Sequence, residues 1–142
     1  MGDEAEKEKN GQKNGTIQLT MLDVNLQGFV RAFEVMTNFN GFPTRTKYNM
    51  LRIRKQLKEQ QELFVETYNS IQEKHMVEEN GAKKVPKENL KERDKDLEEL
   101  NEIPVEINHT PFDEKTSEDY IERMQLSPAD MDYLEPFFTF PY

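Results

Sequence analysis

The sequence predicts a mainly α fold: a long antiparallel helical hairpin packed with an N-terminal helix, a small two-stranded sheet and a short C-terminal helix. Three observations predict it. Residues Thr44 to about Met76 hold neither Gly nor Pro, so nothing interrupts a helix of roughly 30 residues. Two short segments, Thr16–Leu19 and Ile103–Ile107, alternate polar and apolar residues at the period of a strand. Helix-start signals stand at Thr20 and at Ser127.

A chain of 142 residues has room for one domain. With 35% hydrophobic and 33% charged residues, its core must be thin, and part of its length must be solvated helix face or tail. Residues 1–15 mix Glu and Lys with Asn, Gly and Gln, without apolar period. They are expected to be a disordered charged leader, followed by a single helical domain over 16–138 and an aromatic tail at 139–142.

Thr20, with Asp23 three residues on, forms a capping-box pattern ahead of Leu22, Leu26, Phe29, Val30, Phe33 and Met36. That spacing predicts a helix over about 22–37, ended by Asn38, Asn40 and Gly41. Pro43 then precedes the long helix, with Thr44 or Thr46 as candidate caps. At 100° per residue, Met50, Ile53, Leu57, Phe64, Tyr68, Ile71 and His75 share one arc, which Gln60 and Gln61 interrupt. Tyr48 and Leu51 fall elsewhere, among basic residues. Glu59, Glu62 and Glu66 make an exposed ladder.

Asn80-Gly81 signals a turn. Val85-Pro86 suits a helix start, and Leu90, Leu97 and Leu100 give a thin stripe. Three leucines make a marginal helix alone, so this one is expected to fold back antiparallel on the long helix. Pro104 has no amide hydrogen to donate, which places it at a strand start or edge. The economical pairing of Ile103–Ile107 is with Thr16–Leu19. Residues 110–118 read as irregular, with one helical turn over about 119–124. In Ser127-Pro128-Ala129-Asp130 the Ser caps, the Pro takes the first helical position and the Asp accepts back. Pro136 stops that short helix.

Ordered patches carry a resemblance. They are Phe42-Pro43-Thr44-Arg45-Thr46-Lys47-Tyr48, then Val85-Pro86-Lys87-Glu88-Asn89 and Leu97-Glu98-Glu99-Leu100, then Val105-Glu106-Ile107, Leu126-Ser127-Pro128-Ala129-Asp130 and Leu134-Glu135-Pro136-Phe137. The chain resembles small uncharacterised proteins of tailed bacteriophages, in which a Lys/Glu-rich helical hairpin is closed by a Leu-Ser-Pro-Ala turn and a Leu-Glu-Pro-Phe end. The likeness spans about residues 16–138. It implies a phage origin, in the infected cell's cytoplasm or in the virion, and, as these proteins have no established activity, it carries over no catalytic residue. The charged leader, residues 108–116 and the aromatic end depart from the pattern.

The residues offer little chemistry. No cysteine is present, which excludes disulfides, thiolate catalysis and Cys-based zinc sites. Only two histidines occur: His75 at the end of the apolar arc and His109 in a loop. Ser127 is explained as a cap rather than a nucleophile. Asp94, Asp96 and Glu98, or Asp130 and Asp132, lie two apart on helices and point in different directions. No catalytic residue, cofactor, metal or small-molecule substrate is therefore expected. No window is apolar enough to cross a membrane, and the polar N-terminus lacks the apolar core of a signal peptide.

Charge is distributed unevenly. The net charge is −9, yet Arg45, Lys47, Arg52, Arg54, Lys55 and Lys58 form a basic ridge with no acid among them. Nucleic acid is disfavoured by the net charge. The expected role of the ridge is to receive the acidic segment 103–142, which carries nine acids and two bases. Acidic mimicry of DNA is spoiled by lysines interspersed through 83–102. The function expected is non-catalytic protein binding or self-association through the long helix and the C-terminal aromatics, with Phe64, Tyr68, Phe137, Phe140 and Tyr142 as contacts. Alternatives are a virion structural or assembly component, and an acidic inhibitor of a host nucleic-acid-binding or defence enzyme.

Overall fold

The computed structural model describes residues 12, 13 and 15–140. Two antiparallel partners lie at the base of the fold: β2 (Thr16–Thr20) and β5 (Pro104–Asn108), with Ile17 opposite Ile107 and Leu19 opposite Val105. This is the pairing read from the period-two segments, with Pro104 at the strand start as its missing donor requires. A short β1 (Gln12–Lys13) adds to the free edge of β2, giving the order β1-β2-β5. The expected leader over 1–15 thus meets a strand before its end; residues 1–11 and 14 lie outside the described residues.

Thr20 ends β2 and starts a helix at once. Its hydroxyl accepts from the Asp23 amide, while its own amide donates to the Asp23 carboxylate at 2.9 Å. The helix then differs from the expected single run over 22–37. It stops after α1 (Met21–Asn25), and α2 (Gln27–Thr37) begins beyond an extended Leu26. The cause is long-range. Gln61 of the long helix donates from Nε2 to the Val24 carbonyl at 2.9 Å, replacing a helical bond with one across the fold. Gly28 then lets α2 approach closely: a Cβ there would lie 2.3 Å from the Tyr133 ring.

The long helix, α3 (Thr44–His75), is continuous over 32 residues, about 48 Å at ~1.5 Å per residue. Pro43 is its cap residue, and neither Thr44 nor Thr46 supplies a side-chain cap. Met50, Ile53 and Leu57 are buried as their arc predicts, and Phe64 packs half-buried against the same core. Beyond Leu57 nothing on α3 is buried. Lys74 and His75 close it, favourably placed against the helix dipole.

Asn80 and Gly81 take positive φ of 55° and 80°, the geometry of a tight hairpin turn. They join β3 (Val77–Glu79) to β4 (Ala82–Lys84), two exposed strands beyond what the turn signal predicts. A 3₁₀ turn, Lys87–Asn89, leads into α4 (Leu90–Asn101). Polar contacts join α4 to the end of α3. Asp96 Oδ2 lies 2.7 Å from His75 Nε2 and 3.2 Å from Lys74 Nζ, and Asn89 Nδ2 donates to the His75 carbonyl.

Residues 110–124 hold more helix than expected. Asp113 accepts from the Thr116 amide at 2.7 Å and starts α5 (Glu114–Met124), an eleven-residue helix in place of one turn. Ser127 and Asp130 form the predicted capping box of α6 (Pro128–Leu134), and a 3₁₀ turn over Glu135–Phe137 follows. An aromatic cluster fills the core here. Phe42 meets Tyr120 edge-to-face at 4.9 Å, Phe112 lies 5.8 Å from Phe42, and Phe137 lies 5.6 Å from Phe33.

Candidate binding surface on the long helix

The expected contact residues separate. Phe137 is 0% exposed, wedged between Phe33 and the His109 ring. It belongs to the core and presents nothing to a partner, because its slot lies behind α2 and the turn before α5. Phe140 is half-buried with its ring 6.2 Å from Phe138, and Tyr142 lies outside the described residues. Phe64 is half-buried and stacks 6.3 Å from Tyr68, which stays exposed at the edge of the apolar arc.

The basic ridge also divides. Lys47 Nζ is engaged by backbone, donating to the carbonyls of Thr37 and Phe39. Arg54 is half-buried and lines a small apolar cavity with Phe29, Phe33, Glu34 and Leu57. Arg45, Arg52, Lys55 and Lys58 remain exposed. Among the described residues, no ion pair joins any of them to the acidic segment 103–140. The segment does run beside the ridge, where Asn49 and Gln56 donate to the Asn108 and Glu106 carbonyls, but it meets it without ion pairs. The acids of that segment serve caps and local pairs instead: Asp113 and Asp130 hold helix starts, and Asp119 binds Arg123 at 3.2 Å.

The outer side of α3, opposite Met50, Ile53 and Leu57, carries exposed side chains along its length, and near its start Arg45, Tyr48 and Arg52 share an open cleft with Thr110 and Phe112. Tyr48 is 65% exposed, Leu63 53% and Val65 56%. An open groove beside Val65 is lined by Lys58, Gln61, Glu62, Glu66 and Asn69, all from α3 itself. Leu63 and Val65 are absent from the arc expected to make contacts. The helix angle would have found both on the flanks of the far side, Leu63 in line with Arg45 and Val65 beside Lys58.

His109 lies in the loop after β5, as expected, yet is a core residue at 6% exposure, its ring 4.8 Å from Phe112 and 5.5 Å from Phe137. Burial pushes its pKa down to about 4, against a hydrogen bond with the Phe137 backbone that favours the charged form. Its Nε2 is a buried side-chain atom without a partner. At the far end of α3, hydrogen bonds from His75 and then Lys74 hold the Asp96 carboxyl below its usual range. No three His, Asp or Glu among the described residues gather as a metal cluster, and no helix is long and apolar enough to cross a membrane.

No family model matches the chain, and no curated protein or solved structure is significantly similar to it.

Proposed function

We propose that this is a non-catalytic protein-binding module whose working surface is the outer side of α3. The observation that carries this reading is the set of exposed apolar side chains, Tyr48 on the outer side with Leu63 and Val65 on its two flanks, beside charges that have no ion pair among the described residues. Such a strip suits a partner's surface, where apolar contact supplies affinity and charge sets orientation. In this reading α3 and α4 form an antiparallel helical hairpin, with α4 holding the end of the rod while its outer side stays open. The resemblance noted above sets this binding in a phage-infected cell, with a protein of host or phage as the partner.

A photo-crosslinking residue placed at Val65 tests the surface in cells. The expected outcome is one adduct of defined mass, absent when the same residue replaces exposed Glu118 on α5. Val65 giving no adduct, or Glu118 giving the same one, overturns the reading.

A further inference from the structure

The exposed charges of α3 have an order that composition conceals. Arg45, Arg52, Lys55 and Lys58 are separated by 7, 3 and 3 residues; Glu59, Glu62, Glu66 and Glu73 are separated by 3, 4 and 7. The two series are close to mirror images, with sign reversed, about the Lys58–Glu59 junction. All eight side chains are exposed and, at 100° per residue, share the arc of α3 that faces away from Met50, Ile53 and Leu57. None of the eight has an ion pair within 4 Å among the described residues.

Resting on the proposed working surface, we infer that its occupant is a second copy of this chain, lying antiparallel along α3 about a two-fold axis beside the Lys58–Glu59 junction. The axis brings Arg45 opposite Glu73, Arg52 opposite Glu66, Lys55 opposite Glu62 and Lys58 opposite Glu59, and repeats each pair by symmetry. A two-fold contact must be self-complementary, and a helix whose charges are reversed about its own midpoint meets that condition. A parallel arrangement puts like charges over like. Tyr48, Leu51 and Leu63 lie on the same arc and are covered in the pairing, with Val65 at its margin. Exposed ion pairs add little affinity singly, so they set direction and register while the apolar residues supply burial.

The inference predicts a specific pattern of rescue. Variant one carries Lys55→Glu and Lys58→Glu; variant two carries Glu59→Lys and Glu62→Lys. Each alone sets like charges across the axis, whereas their mixture restores every pair. In sedimentation at about 100 µM and low ionic strength, where screening is weak, the wild-type chain runs at twice 16.8 kDa. Each variant runs as a monomer with unchanged circular dichroism, and their equimolar mixture returns to the dimer. Raising the salt weakens the wild-type dimer by roughly tenfold or more. A monomeric wild type, two variants that still dimerise alone, or a mixture that stays monomeric overturns the inference. An adduct at Val65 to a different protein also overturns it, while leaving the binding surface standing.

Discussion

Two regions of this molecule share a helix and are held by different forces. In the body, formed by residues 15–57 and 100–140, lies every buried side chain among the described residues. From Lys58 to Glu99 none is buried. The body is closed by aromatic rings, capping boxes and a strand pair of high sequence separation. The stretch beyond it, the arm, holds half-buried Ile71, Leu90 and Leu97 and polar contacts around Asp96. A helix needs an apolar face covered to be stable. The body covers its own, whereas the arm leaves its outer side bare. Stability and surface function are thus divided along one continuous helix.

Truncation should cost far more in the body than in the arm. Phe137→Ala empties a fully enclosed site and is expected to cost about 3–5 kcal/mol in denaturant unfolding. The same truncation at half-buried Leu97 is expected to cost roughly 1–2 kcal/mol. Equal losses would mean that the arm is as firmly packed as the body.

Acid separates the two regions next. His109 is held near 4 in the fold, so between its ordinary value of about 6.5 and about 4 the unfolded chain binds a proton that the native core refuses. Its contribution is complete above that window and is lost as pH falls through it, by about 3 kcal/mol. A series of denaturant melts from pH 7 to 4 reads this, and His109→Leu flattens it. Asp96 acts at lower pH. Its pKa is lowered by His75 and Lys74, so its support for the arm persists above the ordinary carboxylate range and is lost only as pH falls through the depressed value. In that order, the body weakens before the arm's polar contact does.

The smallest effect is the most local. Asp96→Asn removes the charge that faces His75 and Lys74. Amide hydrogen exchange is expected to quicken in α4 and the last turns of α3 while α1, α2 and β2 keep their protection. Quickening throughout the molecule would join the two regions into one cooperative unit.

Much of this fold was legible because its signals are local. Thr20 with Asp23 and Ser127 with Asp130 sit three residues apart, so each capping box is complete within one turn of chain. The alternation in Thr16–Leu19 and Ile103–Ile107 marks strands whatever surrounds them. The break at Leu26 was not legible, because the Gln61 amide that satisfies Val24 comes from another helix. Asp113 was a readable cap, obscured by the irregular look of the residues before it. The contact surface was half legible. Aromatic content points to Phe137 as readily as to Tyr68, and only packing tells a core ring from a surface one.

The sequence alone determined the uninterrupted rod, its capped neighbours and the reversal of charge along its length. These follow from steric, hydrogen-bonding and charge properties of residues within a few positions of one another. The tertiary structure decided which side of that rod faces water, where α1 ends and why His109 is buried. Those outcomes depend on distant segments competing for the same apolar surface and the same backbone carbonyls, and no local pattern records that competition.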